Sequence, residues 1–97
     1  MIERSSAALL DIGAIILYLR EQGGADVALR FSDAVEEALH QLEEFPHLGP
    51  IRHFRQPGLR SWRVPGFKRW LLFYVPTPKG IRLYRVIHSS MDLEAQF

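Results

Sequence analysis

The hydrophobic pattern of this chain changes its period once, and that change constrains the fold more than any other feature of the sequence. Up to residue 45, apolar residues recur at three- and four-residue spacing, which is typical of amphipathic helices. From residue 59 onward the chain is rich in β-branched and aromatic residues in short runs, which is typical of strands. The segment 46–58 between them is rich in proline, glycine and cations and predicts a long loop. Helices followed by strands favour an α+β fold.

The first predicted helix covers residues 6–22 and is unusually apolar. Its stripe at Leu9, Ile12, Ile16 and Leu19 is widened by Leu10, Ile15, Leu17 and Tyr18. A helix that is apolar around most of its circumference is either buried centrally or covered by a partner. Central burial is difficult in so small a domain, so we expect a partner on this helix.

The second predicted helix starts at residue 25 or 26 and ends at Phe45, because Pro46 stops it. Its apolar stripe is narrower, at Ala28, Phe31, Val35, Ala38, Leu39 and Leu42, and carboxylates line the other side. Gly23 and Gly24 separate the two helices and suit a tight cap. We therefore predict an antiparallel helical hairpin.

Three strands are predicted over residues 59–64, 69–76 and 81–88. Short turns at 65–66 and 76–80 connect them, which favours an antiparallel meander with one face packed on the hairpin. In the last strand, alternation puts Ile81, Leu83, Arg85 and Ile87 on the core side. Arg85 does not suit a core, so either Asp11 or Asp92 pairs with it or a bulge exposes it.

Length and composition predict one domain over residues 1–97. Cysteine is absent, which excludes disulfides and thiol chemistry and fits a cytoplasmic protein. His40, His47 and His53 have no metal-ligand spacing, so we assign no metal and no cofactor. The apolar run in the first helix is too short to span a membrane.

The charge of the chain is divided along its sequence. Residues 1–48 carry three cations and nine carboxylates, whereas residues 49–97 carry nine cations and two carboxylates. The net charges of the halves are therefore −6 and +7. Such asymmetry indicates an acidic or anionic partner for the second half, and the alternative is that the halves neutralise each other in the fold.

Five short patterns together resemble the RelE/ParE superfamily, the toxins of type II toxin–antitoxin systems, and are most similar to its ParE branch. They are A-x-x-D-I-x-x-I from Ala8, F-x-x-x-V-x-x-A-L-x-x-L from Phe31, P-x-L-G from Pro46, L-R-S-W-R-V-P-G-F from Leu59, and R-V-I-H from Arg85 with M-D-L from Met91. The resemblance covers nearly the whole chain in the right order. It implies a helical hairpin packed on an antiparallel sheet of three to four strands. Family members usually open with a strand, for which only residues 1–4 remain here.

The resemblance also implies function and partners. ParE-like members are associated with inhibition of DNA gyrase and of bacterial growth, and a cognate antitoxin neutralises them. We expect a small, acidic, DNA-binding, ParD-like antitoxin that forms a hetero-oligomer with this chain in the cytoplasm. The basic residues Arg60, Arg63, Lys68, Arg69 and Arg82 are candidates for the surface that binds the target. The apolar residues Leu9, Ile16, Leu17, Trp62 and Trp70 are candidates for antitoxin binding.

Two alternatives stay open. RelE-like members cut mRNA on the ribosome, which requires an acid or base and cations for the phosphate. Here His88, Arg60 and Arg85 are the candidates for that chemistry. The set is incomplete by comparison with RNase-type relatives, which often carry a tyrosine near the C-terminus, because no tyrosine follows Tyr84 here. The other alternative is a degenerate toxin that only binds its antitoxin. If the chain inhibits DNA gyrase, as the ParE resemblance implies, it is not itself an enzyme.

Overall fold

The computed structural model describes all of residues 1–97. The elements along the chain are β1 (Ile2–Arg4), α1 (Ser6–Gly23), α2 (Ala25–Glu44), β2 (Arg60–Val64), β3 (Phe67–Thr77), β4 (Gly80–His88) and a short 3-10 helix (Glu94–Gln96). The four strands form one sheet in the order β1-β4-β3-β2. The predicted α+β fold with an N-terminal helical hairpin is therefore confirmed. The fourth strand is β1, and it makes the sheet mixed because it pairs with β4 in parallel.

Local signals define the hairpin. The Ser5 hydroxyl accepts a hydrogen bond from the Ala8 amide at 3.0 Å and caps the start of α1. Gly24 is the only residue between the two helices and has a φ of +90°. A residue with a Cβ would be strained there, which is why the chain turns at this glycine.

The main core lies between the hairpin and the sheet. The whole predicted stripe of α2 is buried in it. In α1, Ala8 and Ile15 are buried, and Ile12, Ile16 and Leu19 pack against the same core. Leu9, which the sequence placed in the stripe, is 54% exposed. The small residue Ala8, which is fully buried in the main core, takes its place on the buried side of the helix.

The opposite face of the sheet is partly covered as well. A second cluster there consists of Leu59, Leu71, Phe73 and Ile87, and the loop residue Phe54 and the C-terminal Phe97 pack on it. The ring of Phe97 lies 5.0 Å from that of Phe73 and 5.9 Å from that of Phe54, measured between centroids. Residues 71–74 of β3 are consequently buried on both faces, so their pattern is a continuous apolar run.

A bulge in β4 corrects the predicted alternation of that strand. Leu83 pairs with Tyr74 and Arg85 pairs with Phe73, which leaves Tyr84 without a partner on β3. After the bulge Val86 joins the main core, whereas Ile87 joins the second cluster. The prediction that Ile81, Leu83, Arg85 and Ile87 share one face is therefore wrong beyond Leu83.

Arg85 at this bulge is paired with Asp11 of α1, one of its two predicted partners. The Arg85 Nε and Nη2 atoms donate to the two Asp11 oxygens at 2.7 and 3.1 Å. Asp11 also accepts the Val86 amide at 2.9 Å. The bond to Asp11 raises the pKa of Arg85. Asp11 therefore replaces a strand neighbour at the point where β1 has ended.

The P-x-L-G pattern after α2 is held by a buried tyrosine. The Tyr74 hydroxyl donates to the Pro46 carbonyl at 2.8 Å and accepts the Gly49 amide at 3.0 Å. A Cβ on Gly49 would lie 2.4 Å from the Ser61 carbonyl oxygen, so only glycine fits. Burial raises the pKa of Tyr74.

The structure contains no helix long and apolar enough to cross a membrane.

Candidate partner-binding surfaces

One side of α1 is an exposed apolar surface, which we call the α1 face. Its large residues are Leu9, Leu10, Leu17 and Tyr18, with exposed fractions of 54%, 75%, 58% and 54%. The small residues Gly13 and Ala14 lie between them on the exposed side of the helix. Exposed leucines this close together on one helix are typical of a surface that another molecule covers.

The predicted antitoxin-binding residues divide between this face and the core. Leu9 and Leu17 lie on the α1 face, whereas Ile16 packs against the main core. Trp62 and Trp70 are half-buried and pack against that core from the sheet. The Trp70 ring meets the rings of Phe31 and His88 edge to face, at 6.2 and 4.8 Å between centroids.

Three of the five predicted basic residues lie together at the turn between β2 and β3. The register changes there, because Arg63 pairs with Leu71 while its neighbour Val64 pairs with Phe67. Residues 68–70 therefore have no partner in β2. Lys68 and Arg69 are exposed, and Arg63 donates to the Lys68 carbonyl at 2.8 Å, which fixes the turn.

The other two predicted basic residues lie elsewhere. Arg60 donates to the Gly49 carbonyl at 2.8 Å and to the His47 carbonyl at 3.3 Å, so it holds the loop after α2. Arg82 lies near the β3–β4 turn, where it pairs with Glu3 at 3.3 Å and stacks over Tyr84. The structure thus does not bring the five cations into one surface.

The candidate residues for RNA cleavage are also separated. Arg85 is occupied by Asp11 and Arg60 by loop carbonyls. Arg60 lies opposite Tyr74, whereas His88 lies opposite Trp70, which is four residues earlier in β3. At about 3.3 Å per residue, His88 is roughly 13 Å along the sheet from Arg60.

His88 belongs instead to a cavity of about 650 Å³ at the β2–β3 turn, which we call the turn pocket. Its walls are Tyr18 from α1, residues 66–70 from the turn and the start of β3, His88 at the end of β4 and Ser90 in the turn that follows. Gly66, with a φ of +78°, allows the tight turn that opens it. No carboxylate lines the pocket.

Most of the positive charge of the second half is not neutralised. Two of its nine cations, Arg82 and Arg85, pair with carboxylates, and the other seven have no carboxylate within salt-bridge distance. Both pairs are with residues of the first half, Glu3 and Asp11, so the halves neutralise each other only in part. A third ion pair, between Arg4 and Glu36, lies within the first half and lowers the pKa of Glu36.

Sequence reasoning did not identify Tyr18, Phe67 and Ser90 as neighbours of His88. Tyr18 was visible only as part of the excess apolar surface of the first helix. The pocket depends on the register change between β2 and β3, and the only sequence signal for it is the turn glycine Gly66. The hydrogen bonds of the Tyr74 hydroxyl to the P-x-L-G segment were likewise not predicted.

The chain belongs to the family described as the ParE toxin of the type II toxin-antitoxin system parDE, whose family model matches residues 2–93. It is similar to Toxin ParE3 of Caulobacter vibrioides, with 30% identity over 86 residues that cover 89% of this chain and 83% of the relative.

A solved structure shares the fold. It is described as the chromosomal ParDE TA system from P. aeruginosa, and it superposes with a TM-score of 0.74 over 90% of this chain and 92% of the matched chain. Sequence identity is 20%, so this likeness supports the fold alone. The predicted membership of the RelE/ParE superfamily, in its ParE branch, is confirmed by the family match.

Proposed function

We propose that this chain is a growth-inhibiting toxin that acts on DNA gyrase in the bacterial cytoplasm and is neutralised by a cognate antitoxin. Membership of the ParE family is the basis of the proposal. The exposed α1 face is the structural observation that carries it, because a partner that covers this face accounts for four large exposed side chains on one helix.

The partner that best fits is a small, acidic, ParD-like antitoxin with a DNA-binding part, in a hetero-oligomer with the toxin. Its apolar residues would pack on Leu9, Leu10 and Leu17. Its carboxylates would meet the exposed cations Lys68 and Arg69 at the β2–β3 turn, which no carboxylate of this chain pairs with. A solved relative in fold is described as a ParDE toxin–antitoxin system, in agreement with this arrangement.

Inhibition of gyrase is favoured over RNA cleavage by the separation of the candidate RNase residues. A cleavage site needs its acid or base and its phosphate-binding cations at one point. Arg60 and Arg85 are instead bound to the protein itself. An inhibitor that only binds its target needs no such set.

Supercoiling by gyrase in the presence of the purified chain tests the proposal. We expect supercoiling to stop, mRNA in a translation reaction to stay whole, and antitoxin to restore supercoiling. Position-specific mRNA cuts with unchanged supercoiling would contradict it. Overexpression without antitoxin that leaves growth unaffected would instead indicate a degenerate toxin.

Matched charge variants locate the surface that binds gyrase. Lys68→Glu reverses an exposed lysine of the β2–β3 turn, and Lys79→Glu reverses an exposed lysine at the β3–β4 turn, so both change the net charge equally. We expect the first variant to inhibit gyrase at least about tenfold less and the second to inhibit as the unmodified chain does. Equal losses in both would point to net charge rather than to a site.

Cleavage of ribosome-bound mRNA is the second candidate, because His88 shares the turn pocket with Lys68 and Arg69. If the chain cuts mRNA, His88→Gln should lower the rate about a hundredfold through loss of acid–base catalysis. An unchanged rate in that variant would remove His88 from the mechanism.

A further inference from the structure

The turn pocket is an open cavity in the surface, and neither inhibition of gyrase nor binding to antitoxin requires it to be concave. Its volume of about 650 Å³ is within the range of small-ligand sites, which hold roughly 300–1,000 Å³. Three separate parts of the fold form its walls: the end of α1, the β2–β3 turn and the end of β4. Its residues are therefore held by different elements and not by a single flexible loop.

The charged residues of the pocket favour an anion. Lys68 and Arg69 line it, both are exposed, and neither has a carboxylate within salt-bridge distance. By contrast, Arg4, Arg82 and Arg85 are each paired. Because no acidic residue lines the pocket, its two cations remain available to a ligand.

His88 adds a hydrogen-bond donor. Its Nδ1 atom accepts the Ser90 amide at 3.1 Å and lies 2.7 Å from the Ser90 hydroxyl. A ring nitrogen that accepts a backbone amide carries no proton, so the proton of the neutral ring is on Nε2. The Trp70 ring, edge to face at 4.8 Å, further fixes the imidazole. Nε2–H is therefore the group that His88 can offer to a ligand.

Aromatic side chains form the rest of the wall. Tyr18 is 54% exposed, and Trp70 and Phe67 are held against Phe31 by edge-to-face contacts. Cations beside exposed aromatic rings are typical of sites that hold a nucleotide, whose phosphate and base they contact separately. An acidic side chain would use the cations but not the aromatic wall, and a carboxylate has fewer acceptor oxygens than a phosphate group.

From these observations we propose that the turn pocket binds a nucleoside phosphate, either free or as the end of a single strand. The phosphate lies between Lys68, Arg69 and His88 Nε2–H, and the base lies against Tyr18. The proposal does not depend on gyrase as the target, and binding can be measured without any toxicity assay.

Fluorescence of Trp70 tests the proposal directly. Trp62→Phe leaves Trp70 as the only tryptophan, and Trp62 does not line the pocket. The dilute protein is titrated with adenosine 5′-monophosphate, inorganic phosphate, a short single-stranded DNA and a peptide of glutamates. We expect saturable quenching by the mononucleotide, with weaker binding of inorganic phosphate. Stronger binding of the DNA would identify a strand end as the natural ligand, and equal binding a free nucleotide.

Variants separate the pocket from general charge. Lys68→Gln and Arg69→Gln, made separately, should each raise the Kd of the mononucleotide at least about tenfold, since each removes a charged hydrogen bond. Lys79→Gln, which removes a cation outside the pocket, should leave the Kd unchanged. Tyr18→Ala should weaken the mononucleotide but not inorganic phosphate.

Three results would overturn the proposal. They are no saturable binding of the mononucleotide, an equal loss in Lys79→Gln, and binding of the glutamate peptide in preference to the mononucleotide. Because Trp62→Phe could disturb the fold, the same titration is repeated on the unmodified chain by following the His88 ring signals in NMR spectra. Signals that do not move with the mononucleotide would also reject the site.

Discussion

Among single residues, Asp11 and Arg85 show most clearly what sequence reasoning can and cannot reach. A cation in an apolar strand requires a partner, so the sequence was sufficient to suggest Asp11. It was not sufficient to show the bulge at Tyr84, because a bulge depends on the pairing of β3 with β4 and not on either strand alone. The pair therefore followed from charge, but its geometry did not.

Replacing Asp11 tests the value of this pair. Asp11→Asn leaves the Arg85 charge without its counterion in a site where the two side chains are only 16% and 28% exposed. We expect the free energy of unfolding in urea to fall by about 1–3 kcal/mol. Glu3→Gln is the matched control at the more exposed Arg82 pair and should cost less than about 1 kcal/mol. Equal effects would show that burial of the Asp11 pair is unimportant.

Tyr74 gives a second prediction, with a pH dependence. Tyr74→Phe leaves the Pro46 carbonyl and the Gly49 amide without their partner and should cost about 1–3 kcal/mol near neutral pH. Burial raises the Tyr74 pKa in the folded state. Above about pH 10 this tyrosine ionises first in the unfolded chain, so stability should fall as pH rises through that range.

Urea titrations at increasing pH separate these two effects. The unmodified chain should lose more stability above pH 10 than Tyr74→Phe does, so the gap between them should narrow. A gap that stays constant would mean that Tyr74 titrates normally.

Among the elements, α1 combines a correct prediction with a missed one. Its limits and its excess of apolar residues were predicted from the sequence. The residues that face outward were not predicted, because a helix that is apolar on nearly every side has no single side that must be buried. In the structure Ala8 and Ile15 are buried, whereas Leu9 and Leu10 face solvent.

Charges on the α1 face test its role. Leu10→Lys with Leu17→Lys should keep the helix, because leucine and lysine have similar helix propensities and both sites are exposed. We expect the free energy of unfolding to change by less than about 0.5 kcal/mol per site. The unmodified chain should self-associate at high concentration, whereas this variant should stay monomeric and lose antitoxin in co-purification.

Leu48→Lys supplies the control, since Leu48 is 41% exposed in the loop after α2. The Leu48→Lys variant should self-associate at high concentration and bind antitoxin as the unmodified chain does. Light scattering after size-exclusion chromatography measures both properties. An unmodified chain that remains monomeric at high concentration would contradict the role of the α1 face.

For the molecule as a whole, the order of elements and the hairpin-on-sheet architecture were predictable because they follow from local patterns and short connections. The second cluster was not, because it joins Phe54, Phe73 and Phe97, which are far apart in the sequence and carry no common period. The dispersal of the basic residues was missed for a similar reason. Register and pairing, not sequence distance, decide which cations meet.

The two clusters share β3 and β4, which leads to a prediction about cooperativity. Ile81→Val in the main core and Ile87→Val in the second cluster remove the same methylene, and each should cost about 0.5–1.5 kcal/mol. If residues 1–97 are one domain, both variants should shift a single transition that far-UV circular dichroism and tryptophan fluorescence report alike. Two separate transitions would contradict a single domain.

The two edges of the sheet, β1 and β2, are protected in different ways. On one side β1 offers only three residues, and the start of α1 continues along β4 with Ser5 and Asp11 bonded to its backbone. At the other edge, residues 50–52 cover the start of β2, where the Ser61 amide donates to the Pro50 carbonyl. Arg63, further along β2, is exposed. Growth of a fibre by strand addition requires that every copy has two edge strands free to pair with a neighbour. β1 is only three residues long and the start of β2 is covered by the loop, so both edges of this sheet are poor templates for strand addition by another copy.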